Sequence, residues 1–162
     1  MSILNNSIIR VPQPVNEPQL DYSIDSEGRK RLKFALSQLS DERQEIPLII
    51  GGREVKTGNL GKVVMPHDHG HTLADYHKAS EKEIQMAIEA AMDAKTAWRR
   101  LRWEERSAIF LKAAELISGK YRFLINAASM LSTSKNAYQA EIDAACELID
   151  FLRFNVYFAQ TI

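Results

Sequence analysis

At 162 residues, 45% hydrophobic and 26% charged, the chain has the size and balance of one soluble globular domain or one piece of a larger one. Its 21 basic and 21 acidic residues cancel, so no net field points to nucleic acid or to an anionic membrane. The single cysteine, Cys146, excludes an internal disulfide and suits a reducing compartment, and no apolar run approaches a membrane span.

The first residues, MSILNNSIIRVPQP, lack acids and carry one Arg. They meet part of the description of a mitochondrial targeting segment; an unstructured leader is the alternative. Pro12, Pro14 and Pro18 favour an extended arm over residues 11–25, which sets residues 1–25 apart from 26–162. Residues 26–39 predict an amphipathic helix through Leu32, Ala35, Leu36 and Leu39, weakened early by Gly28. Residues 46–55 read as a hairpin turning at Gly51-Gly52. Short strands are expected at 59–65 and 72–78, separated by a polar, His-rich loop.

Ser80 and Glu83 form a capping box that opens a helix running to about Trp98, with Ile84, Ala87, Ile88 and Ala91 as its inward face. Residues 104–118 predict the next helix, with Gly119 as C-cap and Lys120 after it. Residues 121–131 are helical in pattern, and Ser132-Thr133-Ser134 breaks the run. Residues 135–162 then read as one long helix without Pro or Gly. It carries one apolar stripe of Ile142, Ala145, Ile149, Leu152, Val156 and Ala159, and a second of Ala140, Ala144, Phe151, Phe154 and Phe158. Only a narrow strip of Asp143, Asp150, Arg153 and Tyr157 is solvent-friendly, so the helix is expected to be buried between layers. It reaches Ile162 without a stop signal, and the chain reads as cut short.

Glu147 falls in line with Phe151 and Phe154. A carboxylate on a buried aromatic face needs a cation, donors or a polar ligand, and marks either a functional position or a structural pair. His67, His69 and His71 alternate, a spacing that can hold zinc on a strand, although Pro66 and Gly70 argue against a regular strand and no fourth ligand is evident. Cys146 lies mid-helix beside Glu147, where a carboxylate opposes thiolate formation, so it reads as a packing residue. Gly51-Gly52, Gly58 and Gly61 do not make a dinucleotide fingerprint, and Ser118-Gly119-Lys120 lacks a P-loop's upstream glycine. The run from Trp98 to Trp103 interleaves arginines with aromatics, but Glu104 and Glu105 follow, so helix-junction packing is favoured over nucleic-acid contact.

The segment QAEIDAACELIDFLRFN at 139–155 resembles the delta-1-pyrroline-5-carboxylate dehydrogenase (L-glutamate gamma-semialdehyde dehydrogenase) family of the aldehyde dehydrogenase superfamily. Further similarity lies at PVNEP (14–18), IP-x-x-I-x-G (46–52), P-x-x-HGH (66–71), AIEAA (87–91) and IFLKAAELIS (109–118), in the family's order. The resemblance implies an α/β fold: a β-hairpin and short strands followed by several α-helices, forming the N-terminal, incomplete part of an NAD-binding domain over 26–162. It implies NAD-dependent oxidation of L-glutamate gamma-semialdehyde to L-glutamate in proline catabolism, in the mitochondrial matrix or otherwise the cytoplasm.

It places Glu147 on the substrate side and makes P-x-x-HGH a connection that uses no metal. The family's cysteine nucleophile sits in a downstream G-Q-x-C loop absent here, and its cofactor-binding units are absent too. No catalytic, cofactor-binding or metal residue is therefore expected in this chain, and the isolated polypeptide is expected to be inactive. Where the family has Q-G-K-x before the last helix, this chain has Thr133-Ser134-Lys135-Asn136, which puts the turn in doubt. The alternative is a truncated, non-catalytic paralogue acting as a helical interaction module, with an intact paralogue or a second copy as partner.

Overall fold

The computed structural model describes residues 9–162; the leader-like residues 1–8 lie outside the described residues. Residues 9–22 run without helix or strand. Helix α1 (Glu27–Asp41) follows, and Ser26 caps it by accepting a hydrogen bond from the Arg29 N–H at 3.1 Å. Gly28 has a role beyond weakening this helix: a Cβ there would sit 2.4 Å from the Asp21 carbonyl oxygen, so only glycine lets the arm press this closely on α1.

Five short strands come next: β1 (Gln44–Ile46), β2 (Leu48–Ile50), β3 (Arg53–Val55), β4 (Leu60–Met65) and β5 (Asp68–His77). The hairpin of β2 and β3 turns at Gly51-Gly52 as expected, both at positive φ. Ile46 is not part of it. Pro47 separates β1, which pairs in parallel with β5 and completes a three-stranded sheet in the order β1-β5-β4. The expected His-rich loop shrinks to a turn at Pro66 and His67, because Asp68–His71 join β5. Register shifts around Val64 absorb the irregularity.

Helix α2 (Glu81–Arg100) opens on the Ser80–Glu83 box, with the Glu83 carboxylate accepting from Ser80 N–H at 2.8 Å. Its expected inward face is a correction: Ile84 and Ile88 are 56% and 51% exposed, and Ala87 and Ala91 are exposed as well. Among its twenty residues only Glu83 is buried. Helix α3 (Trp103–Ser118) ends at Gly119, and α4 (Arg122–Thr133) keeps Ser132 and Thr133, whose hydroxyls donate back to the Ala128 and Ser129 carbonyls. The break falls on Ser134 at φ 57, a left-handed position of the kind glycine usually takes. The turn is retained, and Ser134 Oγ lies 2.9 Å from His67 Nδ1.

The final run is not one α-helix. Helix α5 (Ala137–Ala140) passes into a π-helical segment (Glu141–Cys146) and then into α6 (Glu147–Ala159). The core has three parts: α1 against α4 (Leu32, Ala35, Phe123, Ala127), the sheet against α4 (Met65, Leu73, Leu131), and α3 against the final run (Ala114, Ala145, Ile149). The architecture is therefore α/β and helix-rich, with a hairpin and short strands preceding the helices. No helix among the described residues is long and apolar enough to cross a membrane.

Candidate functional site

A wide polar node lies where the arm, α4 and the π-helical segment meet. Arg122, Asn126 and Glu141 are all buried, at 2%, 0% and 0% exposure. The guanidinium of Arg122 pairs with the carboxylates of Glu141 and Glu17 and also donates to the Pro18 carbonyl at 2.7 Å. The Glu141 carboxylate accepts from Leu20 N–H at 2.7 Å, Tyr22 O–H at 2.6 Å and Asn126 Nδ2 at 2.7 Å. Glu17 reaches on to Arg153 at 2.6 Å, so two cations face two carboxylates. Along α6, Asp150 accepts from Asn16 Nδ2 and Glu17 N–H, each at 2.7 Å, and Gln160 accepts from Val11 N–H at 2.9 Å.

These contacts overturn the expectation that Asp150, Arg153 and Tyr157 form a solvent-facing strip. Asp150 and Arg153 hold the arm, and all three are partly buried. The π-helical turn sets this geometry. Glu147 N–H bonds to the Ile142 carbonyl five residues back, so the turn holds an extra residue and shifts the phase of all that follows.

The electrostatics of the node are those of a clasp. Burial works to raise the Glu141 pKa, but hydrogen bonds from Arg122, Tyr22 and Leu20 outweigh it and hold the carboxyl below its usual range. Burial also works against charge on Arg122, yet Glu141 and Glu17 raise its pKa overall. Burial and then Glu141 push the Tyr22 phenol up. A carboxyl held down, a guanidinium held up and a phenol pushed up are set for holding and not for general acid–base exchange at neutral pH.

Cys146 belongs to the same region, 3.4 Å from Arg122 Nη2. Burial, and secondly Glu141, push its thiol up to about 11. The inert thiol expected from sequence is present, but the opposing carboxylate is Glu141 and not the adjacent Glu147.

Glu147 is the residue that moves most against expectation. It is exposed, not buried among aromatics. With Asn16, Asp150, Phe151, Phe154, Asn155 and Phe158 it lines an open depression of about 420 Å³. The second apolar stripe faces outward there: Phe151 and Phe158 are 62% and 54% exposed, while Phe154 packs its ring 6.2 Å from that of Phe158.

The three imidazoles have separate surroundings. His67 meets Ser134, His71 Nε2 lies 2.9 Å from the Ser40 carbonyl, and His69 is exposed. Between Trp98 and Trp103 the two helices meet, and Arg102 pairs with Glu104 at 2.7 Å.

The junction of β5 with α2 is the one strand-to-long-helix step among the described residues, and there the Glu83 carboxylate accepts from the Ser80 N–H and hydroxyl. Sequence reasoning missed Arg122, Asn126 and Glu141. For the first two a signal was available: Arg122 and Asn126 stand four apart in a helix otherwise patterned by Phe123, Ala127 and Leu131.

Comparison with known proteins adds the following. The aldehyde dehydrogenase family model matches residues 54–162. The mitochondrial delta-1-pyrroline-5-carboxylate dehydrogenase of Dictyostelium discoideum is 45% identical over 152 residues, which cover 94% of this chain and 27% of that protein. The delta-1-pyrroline-5-carboxylate dehydrogenase of Agaricus bisporus is 44% identical over 161 residues, covering 99% of this chain and 30% of its own length. Among solved structures, the NAD-bound Mycobacterium tuberculosis delta-pyrroline-5-carboxylate dehydrogenase superposes with a TM-score of 0.94 at 47% identity, over 97% of this chain and 30% of that one. The chain thus spans under a third of the length of these relatives.

Proposed function

The chain belongs to the aldehyde dehydrogenase family, and from that premise we propose that it is the N-terminal part of an NAD-dependent L-glutamate gamma-semialdehyde dehydrogenase of proline catabolism. Residues 26–162 would form the front of its cofactor domain, preceded by the arm. What carries this reading is likeness along the whole chain: 97% of it superposes on an NAD-bound enzyme of that name. The mitochondrial names of relatives support placing it in that compartment. Glu147 is assigned to the substrate side, supported by its place in an open depression walled by Phe151, Phe154 and Phe158.

No step of the oxidation is assigned to a residue of this chain. Cys146 is buried and its thiol is pushed up to about 11, so it does not supply the thiolate that attack on an aldehyde needs. The isolated polypeptide is inactive on this reading. NAD-dependent turnover of glutamate semialdehyde by the purified 162 residues would overturn it.

A second reading, a non-catalytic paralogue acting as an interaction module, is favoured by the self-contained node, which holds the arm without further chain. The intact mass of the native polypeptide decides between them. A mass several times 18.4 kDa selects the dehydrogenase, and one near 18.4 kDa selects the module. In the second case the partner is an intact paralogue or another copy.

A further inference from the structure

The fourth histidine of the chain, His77, has surroundings unlike those of the other three. It ends β5 and is 6% exposed. It stands where the β2–β3 hairpin, a sheet of its own, hands the chain on to β4. The connecting residues 56–59 are bonded to the end of β5. Lys78 N–H donates to the Asn59 carbonyl at 2.8 Å, and Thr57 Oγ1 donates to the Lys78 carbonyl at 3.0 Å. Gly58, at φ 77, donates its N–H to His77 Nδ1 at 3.1 Å. On the other side of the ring, Nε2 lies 3.0 Å from the Glu45 carboxylate of β1.

These contacts define where the ring carries its proton. A backbone N–H can only donate, so Nδ1 must present its lone pair to Gly58. The imidazole is then neutral, with its one proton on Nε2 and aimed at Glu45. A second proton has only Nδ1 to go to. There it would set N–H against N–H and leave the Gly58 donor without its acceptor.

The charges around the ring leave that uptake open. Glu45 faces it from β1 and is paired with Lys56 of the connection. Lys56, and then His77, hold Glu45 below its usual range, so it stays ionised while an imidazole titrates. Two places back on β5, Asp75 is answered by Arg43 at 2.6 Å and has Lys62 of β4 opposite it. Glu54 of β3 acts on Lys56 and supports its charge.

We propose that His77 is a proton-operated latch between the hairpin and the three-stranded sheet. With Nδ1 bare, the imidazole closes the connection onto β5. With Nδ1 protonated, the Gly58 amide is released, while the Glu45 contact and the Asn59–Lys78 bond stay in place. The tip of the connection loosens, and the sheet does not.

The test is nitrogen-15 NMR on the full chain. At about pH 8 the His77 ring is expected to show Nε2 protonated and Nδ1 bare; the opposite tautomer overturns the proposal. Amide exchange of Gly58 is then followed down to about pH 5.5, as a protection factor so that the intrinsic pH dependence cancels. That factor is expected to fall by about tenfold or more, with the midpoint of the His77 ring signals, while Lys78 N–H keeps its protection. A Gly58 factor that holds while the ring titrates overturns the latch, as does a fall with a different midpoint. So does a ring that takes up no proton over this range. Loss of Lys78 protection in step with Gly58 also overturns it, since the connection then melts as a whole. His77→Asn sets a non-titrating amide oxygen near the place of Nδ1. Gly58 protection in that variant is expected to be flat over the same range, and a fall that survives the substitution overturns the proposal. The titration of the unsubstituted chain decides even where the variant does not fold.

Discussion

Two faces of the same helical run, less than one turn of chain apart in places, have opposite characters. The face carrying Glu141, Asp150 and Arg153 is polar in sequence and closed in structure, because the arm lies on it. The face carrying Leu148, Phe151 and Phe158 is apolar in sequence and open. Hydrophobicity assigns sides to a helix only when nothing polar is brought to meet it. Here residues 16–22 bring acceptors, donors and a carboxylate that convert a solvent strip into an interior one. The closed face finds its partners within the described residues, whereas the open face has none among them.

The sharpest way to break this contrast is at the buried pair. Arg122→Met alone leaves Glu141 buried without its cation, and urea unfolding should show a loss of about 3–5 kcal/mol. The double change Arg122→Met with Glu141→Leu removes both charges and should recover much of that loss, as a double-mutant cycle would register. If the single change costs nothing, the node is not holding the arm.

Acid attacks the same pair. Because the folded-state pKa of Glu141 is depressed from 4.5, its contribution is present above that value and is lost as pH falls through the folded value. Thermal melts below about pH 4.5 should therefore decline steeply, and Glu141→Gln should flatten that decline.

Glu17→Gln loosens the arm without emptying the centre. The expected loss is about 1–3 kcal/mol, with faster hydrogen exchange at Leu20 than at Ile149. On the open side, Phe151→Asp should change the unfolding free energy by no more than about 0.5 kcal/mol, because the ring is already in water. A large loss would mean that this face is internal after all. Ser134→Gly gives the smallest expected shift, a gain of about 0.5 kcal/mol: relief at a left-handed position, offset by the contact with His67 and by a freer unfolded chain.

Most elements were legible because local chemistry decides them. The Ser80–Glu83 box, the Gly51-Gly52 turn, the Gly119 cap and the alternation in residues 60–65 act over a few residues and survive tertiary context. β1 escaped because its partner, β5, lies some thirty residues away, and Ile46 was counted with the hairpin although Pro47 divides the two. The site was legible in part. Glu147 does fall in line with Phe151, Phe154 and Phe158, as a 3.6-residue wheel places it, but that face is open among the described residues, so the carboxylate is exposed and not buried. Glu141, the carboxylate that is truly buried, needs Arg122 and Tyr22 from distant segments, and no local pattern announces such a meeting.

The arm clasp also sets a timetable. Glu17 meets Arg122 across 105 residues, and Val11 meets Gln160 across 149. On a ribosome adding 5–20 residues per second, the arm would wait about 5–20 s before Arg122 is even made. During that interval Glu17 lacks Arg122, Tyr22 lacks Glu141, and the first described segment is among the last to be fixed. A protease that reaches residues 12–20 before synthesis passes Gln160 removes the clasp for good.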